Sequence, residues 1–211
     1  LMHLDIEGNN LMGAVDLASL LWRLENLTYL NLSHNKLTVM EGEGSNSSFT
    51  NPFRLMGLGL ASCNMTKIPN LLMHLNHIDD LDISCNNISG DIPNWTWNYD
   101  FRSLNLSHNM FTGTELSSSH VIPFNGVLDV LDLSSNRLQG QIPMPSSSAS
   151  FLDYSNNMFS SLPSNFTLYL SSTRYLKLSN NNISAHLPHS ICHSRVEILD
   201  LSFNNFSGPV P

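Results

Sequence analysis

Asparagine recurs along this chain about every 24 residues, and each copy closes a Leu-x-x-Leu-x-Leu-x-x-Asn phrase, as in LDVLDLSSN at 128–136. A fixed period of this kind is the signature of a repeat protein, in which each repeat packs only against its neighbours. The recurring residues, which we name the ladder asparagines, are Asn9, Asn35, Asn86, Asn109, Asn136, Asn157, Asn181 and Asn204. In the third of the nine phrases, Cys63 stands at this position. The period therefore predicts a stacked array whose function lies on a surface and not in a deep pocket.

The spacing within each phrase predicts how the array is built. Its last two leucine positions alternate with one polar residue, and strand side chains have a period of two, so the leucines point into a core while the intervening residues face outward. Parallel strands of successive repeats then stack about 4.7–4.9 Å apart. We predict an α/β solenoid of the leucine-rich repeat class, a right-handed superhelix of about nine repeats. Short parallel strands form its concave face, and short helical or 3-10 segments and turns form its convex side.

The ladder position is expected to hold each turn together. A buried asparagine amide there can bond the backbone groups that the turn leaves unpaired. Cys63 can fill the same space, but a thiol forms only weak hydrogen bonds. We therefore expect a looser turn at the third repeat, and we favour this interpretation over a reactive thiol.

The segments between strands carry turn and helix signals. Gly and Pro in phrases such as NNISGDIP at 86–93 predict a turn after the ladder position. Two stretched repeats, at 39–53 and 112–126, are expected to form loops that project from the solenoid. Short helical or 3-10 segments are predicted at 70–75, 164–170 and 189–194.

The uninterrupted period predicts a single leucine-rich repeat domain over residues 1–211. We expect no terminal caps and truncation at both ends, because Leu1 already lies in a strand phrase and Pro211 stops partway through a repeat. No apolar run approaches the roughly 20 residues of a membrane helix. Any attachment to a membrane is therefore expected through a helix missing from this sequence.

The charge balance excludes one class of partner and the sequons indicate a compartment. Acidic residues outnumber basic ones 17 to 9, so the chain lacks the basic surface that nucleic acid requires. The three cysteines lie far apart in sequence and decide little about the redox compartment. Ten Asn-x-Ser/Thr sequons favour an extracellular glycoprotein over a chance product of the repeat consensus. They begin at Asn26, Asn31, Asn46, Asn64, Asn87, Asn94, Asn105, Asn165, Asn182 and Asn205.

Catalysis and metal binding find little support in the sequence. No G-x-S-x-G elbow, P-loop or H-E-x-x-H motif occurs, and an open solenoid seldom provides the pocket that catalysis needs, so we predict no enzyme. His186, His189, Cys192 and His193 lie within eight residues, a spacing that could coordinate a transition metal. The turn at Pro188 separates His186 from the others, and Cys192 falls where the repeat pattern buries a small apolar residue. We therefore predict neither a metal nor a cofactor.

Two outward columns on the predicted concave face are candidates for ligand recognition. The central column, between the two strand leucines, is Asp5, Asn31, Gly59, Asp82, Asn105, Asp132, Asp153, Lys177 and Asp200. Its five aspartates can attract a basic peptide through a summed field, or they can be solvated consensus residues. The column just before the first of these leucines is His3, Tyr29, Gly57, Asp80, Ser103, Val130, Phe151, Tyr175 and Ile198.

The last four members of that second column are all apolar, and on neighbouring strands they form a continuous exposed stripe. Simple packing of side chains across strands is the alternative interpretation. The predicted ligand-contacting patch spans repeats six to nine, where Lys177 reverses the charge of the central column. Its candidate residues are Val130, Phe151, Asp153, Arg174, Tyr175, Lys177, Ile198 and Phe203. Glycans at Asn31 and Asn105 would leave this patch uncovered.

The phrase Leu-x-Gly-x-Ile-Pro resembles the plant-specific class of extracellular leucine-rich repeats. The succession LGLASCNMTKIP, LDISCNNISGDIPNW, FLDYSNNMFSSLP and LPHSICHS is similar to the later ectodomain repeats of receptor-like proteins of the Verticillium-wilt resistance type. This resemblance covers essentially the whole chain. It implies a plant-type repeat and a cell-surface receptor with a secreted solenoid, one membrane helix, a short cytoplasmic tail and no kinase of its own.

The resemblance implies a role and partners for the parent protein. Its ectodomain is expected at the extracellular side of the plasma membrane, where it binds a peptide or protein ligand in pathogen perception and signals through receptor kinase co-receptors. Three alternatives stay open: a secreted inhibitor of a cell-wall-degrading enzyme, the ectodomain of a receptor kinase, and a truncated product without function. The sequence names neither the ligand nor the choice between defence and development.

Overall fold

The computed structural model describes residues 1–40, 53–115, 121–122, 128–145 and 149–211. Nine three-residue strands form one parallel sheet in which they follow one another in chain order. They are β1 (His3–Asp5), β2 (Tyr29–Asn31), β3 (Gly57–Gly59), β4 (Asp80–Asp82), β5 (Ser103–Asn105), β6 (Val130–Asp132), β7 (Phe151–Asp153), β8 (Tyr175–Lys177) and β9 (Ile198–Asp200). The predicted leucine-rich repeat solenoid is confirmed.

One continuous core lies behind this sheet. The alternating apolar residues of the second to eighth phrases form it, and those of β5 and β6, Leu104 and Leu131, have no exposed surface. Tyr154 takes a leucine position in the seventh repeat and is also fully buried. Its hydroxyl donates to the carbonyl oxygen of Pro143 at 2.7 Å, which gives the polar end of the ring a partner inside the core.

Each turn after a strand contains a residue in the left-handed backbone conformation. This residue immediately precedes the ladder position, with φ between 53° and 68° in every repeat. The nine are Gly8, His34, Ser62, Cys85, His108, Ser135, Asn156, Asn180 and Phe203. The conformation is uncommon for residues other than glycine, so the ladder bonds that follow must hold it in place.

The ladder asparagines bond backbone groups of two repeats at once. The Asn136 amide donates to the carbonyls of Leu106, Leu133 and Ser134, and its oxygen accepts from the Phe111 N–H at 3.0 Å. Burial was expected at every ladder position, but only Asn86, Asn109 and Asn157 are buried, while Asn35, Asn136, Asn181 and Asn204 are half-buried. Asn9 is exposed. It bonds only carbonyls of its own repeat because it follows β1, which lies at the edge of the sheet.

The turn at Cys63 differs from the others. Its thiol is fully buried, and the Sγ atom lies 3.7 Å and 3.6 Å from the carbonyl oxygens of Leu32 and Ala61. Asn64, the next residue, adopts a second left-handed conformation with a φ of 51°. The thiol thus keeps contacts to its own turn and to the preceding repeat, and the looser turn stays a prediction.

Behind the ladder, short strands pair in twos where the sequence predicted only turns. Met12–Asp16 pairs with Lys36–Met40, and Ser89–Ile92 pairs with Met110–Thr114. Gln139–Gln141 pairs with Met158–Ser161, and Val121–Ile122 pairs with Met144–Pro145. The predictions of loops at 39–53 and 112–126 are therefore wrong at 39–40, 112–114 and 121–122, because backbone pairing between repeats outweighs the local Gly and Ser signals. The central parts of the two stretched repeats, 41–52 and 116–120 with 123–127, lie outside the described residues.

The outer side carries short helical elements. The predicted 3-10 segments are confirmed at Asn70–His74, Phe166–Leu170 and His189–His193. Two further elements were not predicted, the 3-10 helix Asn94–Asn98 and α1 (Leu17–Arg23). Asp16 caps α1 by accepting from the N–H groups of Ala18 and Ser19. Among the described residues, no helix has the length and apolar character needed to cross a membrane.

Candidate functional site

The exposed face of the nine-stranded sheet, which we call the strand face, brings both predicted columns together. Strand pairing aligns His3, Tyr29, Gly57, Asp80, Ser103, Val130, Phe151, Tyr175 and Ile198 in one row. The same pairing aligns the central column from Asp5 to Asp200. Because all these strands are parallel and in register, neighbouring members of a column lie about 4.7–4.9 Å apart.

The acidic members of the central column have a structural task. In each case one carboxylate oxygen accepts from the backbone N–H two residues later, as Asp82 does from Ser84 at 2.8 Å and Asp132 from Ser134 at 2.9 Å. This bond satisfies a donor at the start of the turn. The same contact recurs at Asp5, Asn31, Asn105, Asp153 and Asp200. These side chains are therefore only partly available to a ligand.

The carboxyl pKa values of two aspartates in this column are shifted in opposite directions. Burial raises the pKa of the Asp132 carboxyl, and the hydrogen bonds from Ser134 oppose this effect. At Asp200, which is half-buried, the bonds donated by Ser202 and Ser179 lower the carboxyl pKa. The electrostatic field of the strand face is thus uneven, since the carboxylate of Asp200 persists to lower pH than that of Asp132.

The predicted apolar stripe is continuous in the structure. Val130 and Phe151 are half-buried, while the exposed fractions of Tyr175 and Ile198 are 36% and 50%. The Phe151 and Tyr175 rings lie 6.1 Å apart between centroids, at an interplanar angle of 40°. The stripe therefore combines packing across strands with a surface that opens towards β9.

The Lys177 side chain packs against this stripe and is held there by two contacts. Its ammonium lies 3.1 Å from a carboxylate oxygen of Asp153 and 5.3 Å from the centre of the Phe151 ring. Asp153 is only 6% exposed, and its other oxygen accepts from Ser155. Both carboxylate oxygens of Asp153 therefore already have partners, and Asp153 orients Lys177 instead of contacting a ligand itself.

The two remaining candidates of the patch border it on opposite sides. Arg174 is exposed just before β8, with its Nε atom 3.8 Å from Glu197. Phe203 is 79% exposed and occupies the left-handed position of the ninth turn. The strand length separates these two residues, so the patch is wider than the stripe.

A depression on the strand face was not predicted. It lies at β3, where both outward residues are glycines, and has a volume of about 340 Å³. Tyr29 and Asn31 lean over Gly57 and Gly59, so that a Cβ atom on either glycine would come within 2.4 Å and 2.3 Å of their side chains. Asp82 and other polar groups of neighbouring repeats line it. The signal was available in the sequence, because Gly interrupts both outward columns only in this repeat.

The sequons occupy contrasting environments. Asn26, Asn94 and Asn165 are exposed near the outer segments, and Asn64, Asn87, Asn182 and Asn205 are exposed immediately after ladder positions. Asn105 is half-buried and its amide lies 3.3 Å from Asp82. Asn31 is 7% exposed, and its amide donates to Glu7 at 2.8 Å, so a glycan there would have to break this bond. Asn46 lies outside the described residues.

The histidine-rich segment does not gather into one cluster. The Nδ1 atom of His186 donates to the Ser207 carbonyl oxygen at 2.9 Å. Cys192 is exposed, so the expectation that the repeat buries it is wrong. Within the described ranges, no group of three or more His, Cys, Asp or Glu side chains is placed to hold a metal ion.

Comparison with known proteins agrees with this architecture. The Leucine Rich Repeat family matches residues 26–51, 77–99, 127–149, 172–194 and 195–211, which together make up more than half of the chain. The chain belongs to the leucine-rich repeat family. Receptor-like protein 7 of Arabidopsis thaliana is 36% identical over 162 residues, which are 76% of this chain and 14% of that protein. Receptor-like protein 54 of the same plant is 33% identical over 195 residues, or 89% and 23% of the two chains. The leucine-rich repeat chain described here therefore spans less than a quarter of the length of these relatives.

Solved structures show the same solenoid. The ectodomain of the Arabidopsis thaliana membrane receptor kinase GASSHO1/SCHENGEN3, solved in complex with CASPARIAN STRIP INTEGRITY FACTOR 2, matches with a TM-score of 0.81 and 28% identity over 100% of this chain and 25% of that one. A plant ice-binding protein matches with a TM-score of 0.66 and 24% identity, over 99% of this chain and 74% of that one. One fold thus carries unrelated functions, and the surface must decide between them.

Proposed function

We propose that this chain is part of the ectodomain of a plant receptor-like protein, of the Verticillium-wilt resistance type, and that it binds an extracellular peptide or protein. The exposed part of the apolar stripe carries this proposal. Tyr175 and Ile198 remain open to solvent beside a central column of mostly polar side chains that have structural partners. Aromatic and aliphatic side chains ringed by polar groups are the usual composition of an energetic hot spot.

The comparisons support the receptor assignment, since the relatives described are receptor-like proteins and a similar ectodomain was solved with a ligand. Under this proposal the parent protein is a glycoprotein at the plasma membrane that perceives a pathogen-derived ligand and signals through receptor kinases. A secreted inhibitor of a cell-wall-degrading enzyme, a receptor kinase and a product without function are the alternatives. The complete reading frame separates the receptors from the inhibitor, because only a receptor requires an apolar helix of about 20 residues.

The binding proposal is tested by removing the exposed end of the stripe. The ligand is first isolated by co-purification with the complete ectodomain from extracellular fluid of infected tissue, and a synthetic copy is then titrated by calorimetry. Tyr175→Ala combined with Ile198→Ser is expected to weaken binding by roughly 30-fold or more, since loss of a hot-spot residue costs about 2 kcal/mol. Lys177 stays unchanged, because its removal would leave the buried Asp153 carboxylate without its cation.

The matched control is Met158→Ala, which removes an equally exposed apolar side chain from a strand behind the ladder. Its affinity and the abundance of all variants should equal those of the wild type. Unchanged affinity in the double variant would mean that the stripe only packs strand against strand, and that recognition uses another surface.

A further inference from the structure

The depression at β3, which we call the glycine depression, is continuous with the apolar stripe. Val130 and Phe151, the first two members of the stripe, line one end of it. Its volume of about 340 Å³ lies at the lower end of the range for small-ligand sites. A ligand that lies along the stripe can therefore also reach the glycine depression.

Tyr29 forms an aromatic wall of the glycine depression. Its ring stacks on the imidazole of His3, with 4.3 Å between the ring centroids and an interplanar angle of 8°. The strand of His3, β1, and the glycine strand, β3, lie on opposite sides of the strand that carries Tyr29. Both outward residues of β3 are glycines, so no side chain of β3 covers the ring. Aromatic faces attract cations, and a planar guanidinium can stack on them.

The charge of the glycine depression is negative. Four carboxylates line it, and none of the described residues in its lining is Lys or Arg. They belong to Glu7, Asp80, Asp82 and Asp132. Arg102 neutralises Asp80, and Lys177 neutralises Asp153 in the neighbouring repeat of the stripe. Asp132 is half-buried and forms no such ion pair with a described residue, so part of the negative charge lacks an internal counter-charge.

The turn bonds leave part of the Asp82 carboxylate open. One oxygen accepts from the Ser84 N–H at 2.8 Å, and the other is 3.3 Å from the Asn105 amide nitrogen. A charged N–H donor from a ligand can bond this second oxygen while the turn bond persists. A metal ion is the poorer occupant, because within the described ranges no group of three or more ligating side chains is placed to hold one.

We propose that the glycine depression binds an arginine side chain of the extracellular peptide or protein that the apolar stripe recognises. This inference rests on the proposed function, because it gives the same ligand a second anchor. Tyr29 and Asp82 lie two strands apart, about 9.5 Å across the gap that the glycines leave. A guanidinium in this gap can stack on the ring and donate to the carboxylate.

The strand spacing also sets the position of this arginine in the ligand. From β3 to Tyr175 on β8 there are five strand intervals, or about 24 Å. An extended chain covers this distance in about seven residues. A ligand that lies extended along the strand face is therefore expected to carry the arginine about seven residues from its apolar anchor.

The sequon at Asn105 constrains the proposal, because a glycan there would cover the glycine depression. Asn105 lines the depression and is half-buried. Its amide nitrogen donates to Asp82, and its oxygen accepts from the N–H and the hydroxyl of Ser107 at 3.1 Å and 2.7 Å. Because both ends of the amide have partners, Asn105 is expected to be bare in the secreted ectodomain. Full occupancy of this site, measured by mass spectrometry of glycopeptides, overturns the proposal.

The test uses the complete secreted ectodomain and two capped synthetic pentapeptides, each with one central side chain between pairs of glycines. One carries arginine, and the other carries citrulline, which has nearly the same shape without the charge. Titration followed by saturation-transfer NMR of the peptide protons gives both affinities. The arginine peptide should bind about fivefold more tightly or better, because only its side chain carries the charge that Tyr29 and Asp82 attract. Equal affinities overturn the proposal.

Variants of the ectodomain locate the binding. Asp82→Asn keeps an oxygen for the Ser84 N–H but removes the charge, so it should weaken binding of the arginine peptide about threefold or more. Asp200→Asn is the matched control, because Asp200 accepts the same turn bond but lies on β9, outside the glycine depression. Its affinity should equal that of the wild type. Equal melting temperatures report correct folding, and equal affinities of the two folded variants contradict the proposed site.

Tyr29 separates stacking from hydrogen bonding. Tyr29→Phe keeps the aromatic face and should retain affinity for the arginine peptide, whereas Tyr29→Leu should lose it. Wild-type affinity in a folded Tyr29→Leu variant would show that the ring is not a wall of the site.

Failure of this proposal can be distinguished from failure of the proposed function. The double variant Tyr175→Ala with Ile198→Ser leaves the glycine depression intact, so it should bind the arginine peptide as the wild type does. Loss of that binding in the double variant would place the peptide on the stripe and overturn the glycine depression as its site. The synthetic peptides need no natural ligand, so the outcome does not depend on the stripe experiment.

Discussion

At the scale of single residues, the consensus side chains of this repeat are occupied by the backbone. The aspartates of the strand face accept from N–H groups two residues later, and Asp153 also holds Lys177. Departures from the consensus are therefore the more informative positions for function. Tyr175 and Ile198 are exposed apolar side chains that do not accept bonds from the turn backbone. Lys177 also departs from the acidic consensus of its column, but its ammonium neutralises the buried Asp153 carboxylate.

Cys63 is the clearest departure at a structural position. Burial raises the pKa of its thiol to about 11, so the neutral form persists throughout the physiological range. At pH 8 only about one thiol in a thousand is the reactive thiolate. We expect iodoacetamide at pH 8 to modify Cys85 and Cys192, which are exposed, and to leave Cys63 unmodified until the protein is denatured. Peptide mass spectrometry measures this, and modification of native Cys63 at the rate of Cys85 would contradict it.

At the scale of elements, the turn after each strand joins one repeat to the next. A ladder amide donates to its own turn and to the preceding repeat, and its oxygen accepts from the preceding repeat as well. These bonds stabilise a left-handed residue that the sequence alone would disfavour. Stacking and turn geometry are thus one cooperative interaction.

This coupling predicts a large difference between two identical substitutions. Asn136→Ala removes four hydrogen bonds, including the one that the Phe111 N–H donates, which should lower the free energy of unfolding by about 3 kcal/mol. Asn9→Ala, at an exposed position with bonds only to its own repeat, should cost less than about 1 kcal/mol. Thermal and denaturant unfolding of the complete ectodomain compares them. Equal losses would show that contacts between repeats do not depend on the ladder.

At the scale of the whole molecule, the strand face and the glycan sites divide the surface. Ligand binding is proposed on the strand face at repeats six to nine. Most exposed sequons lie outside this face. Glycans and a ligand can therefore occupy different surfaces.

The burial of Asn31 gives a prediction about the glycans. We expect Asn26, Asn94 and Asn165 to carry glycans, because these residues are exposed. We expect Asn31 to carry none, because the residue is only 7% exposed and its amide nitrogen donates to Glu7. Enzymatic release of glycans in heavy-oxygen water, followed by mass spectrometry of secreted protein, identifies each occupied site. A fully occupied Asn31 would require a different packing of β2 against Glu7.

The sequence by itself determined the solenoid, its nine strands and the leucine core, because the period of the apolar residues directly fixes which side chains stack. It also placed the ladder asparagines and the apolar stripe, since strand register follows from the same period. Only the tertiary structure decided which outward residues are free. The sequence predicted that Asn31 and Asp153 face outward and are exposed. In the structure the Asn31 amide is bonded to Glu7, and the Asp153 carboxylate is paired with Lys177. The paired strands behind the ladder likewise depend on bonds between repeats, and a local pattern does not specify the partner of a backbone group.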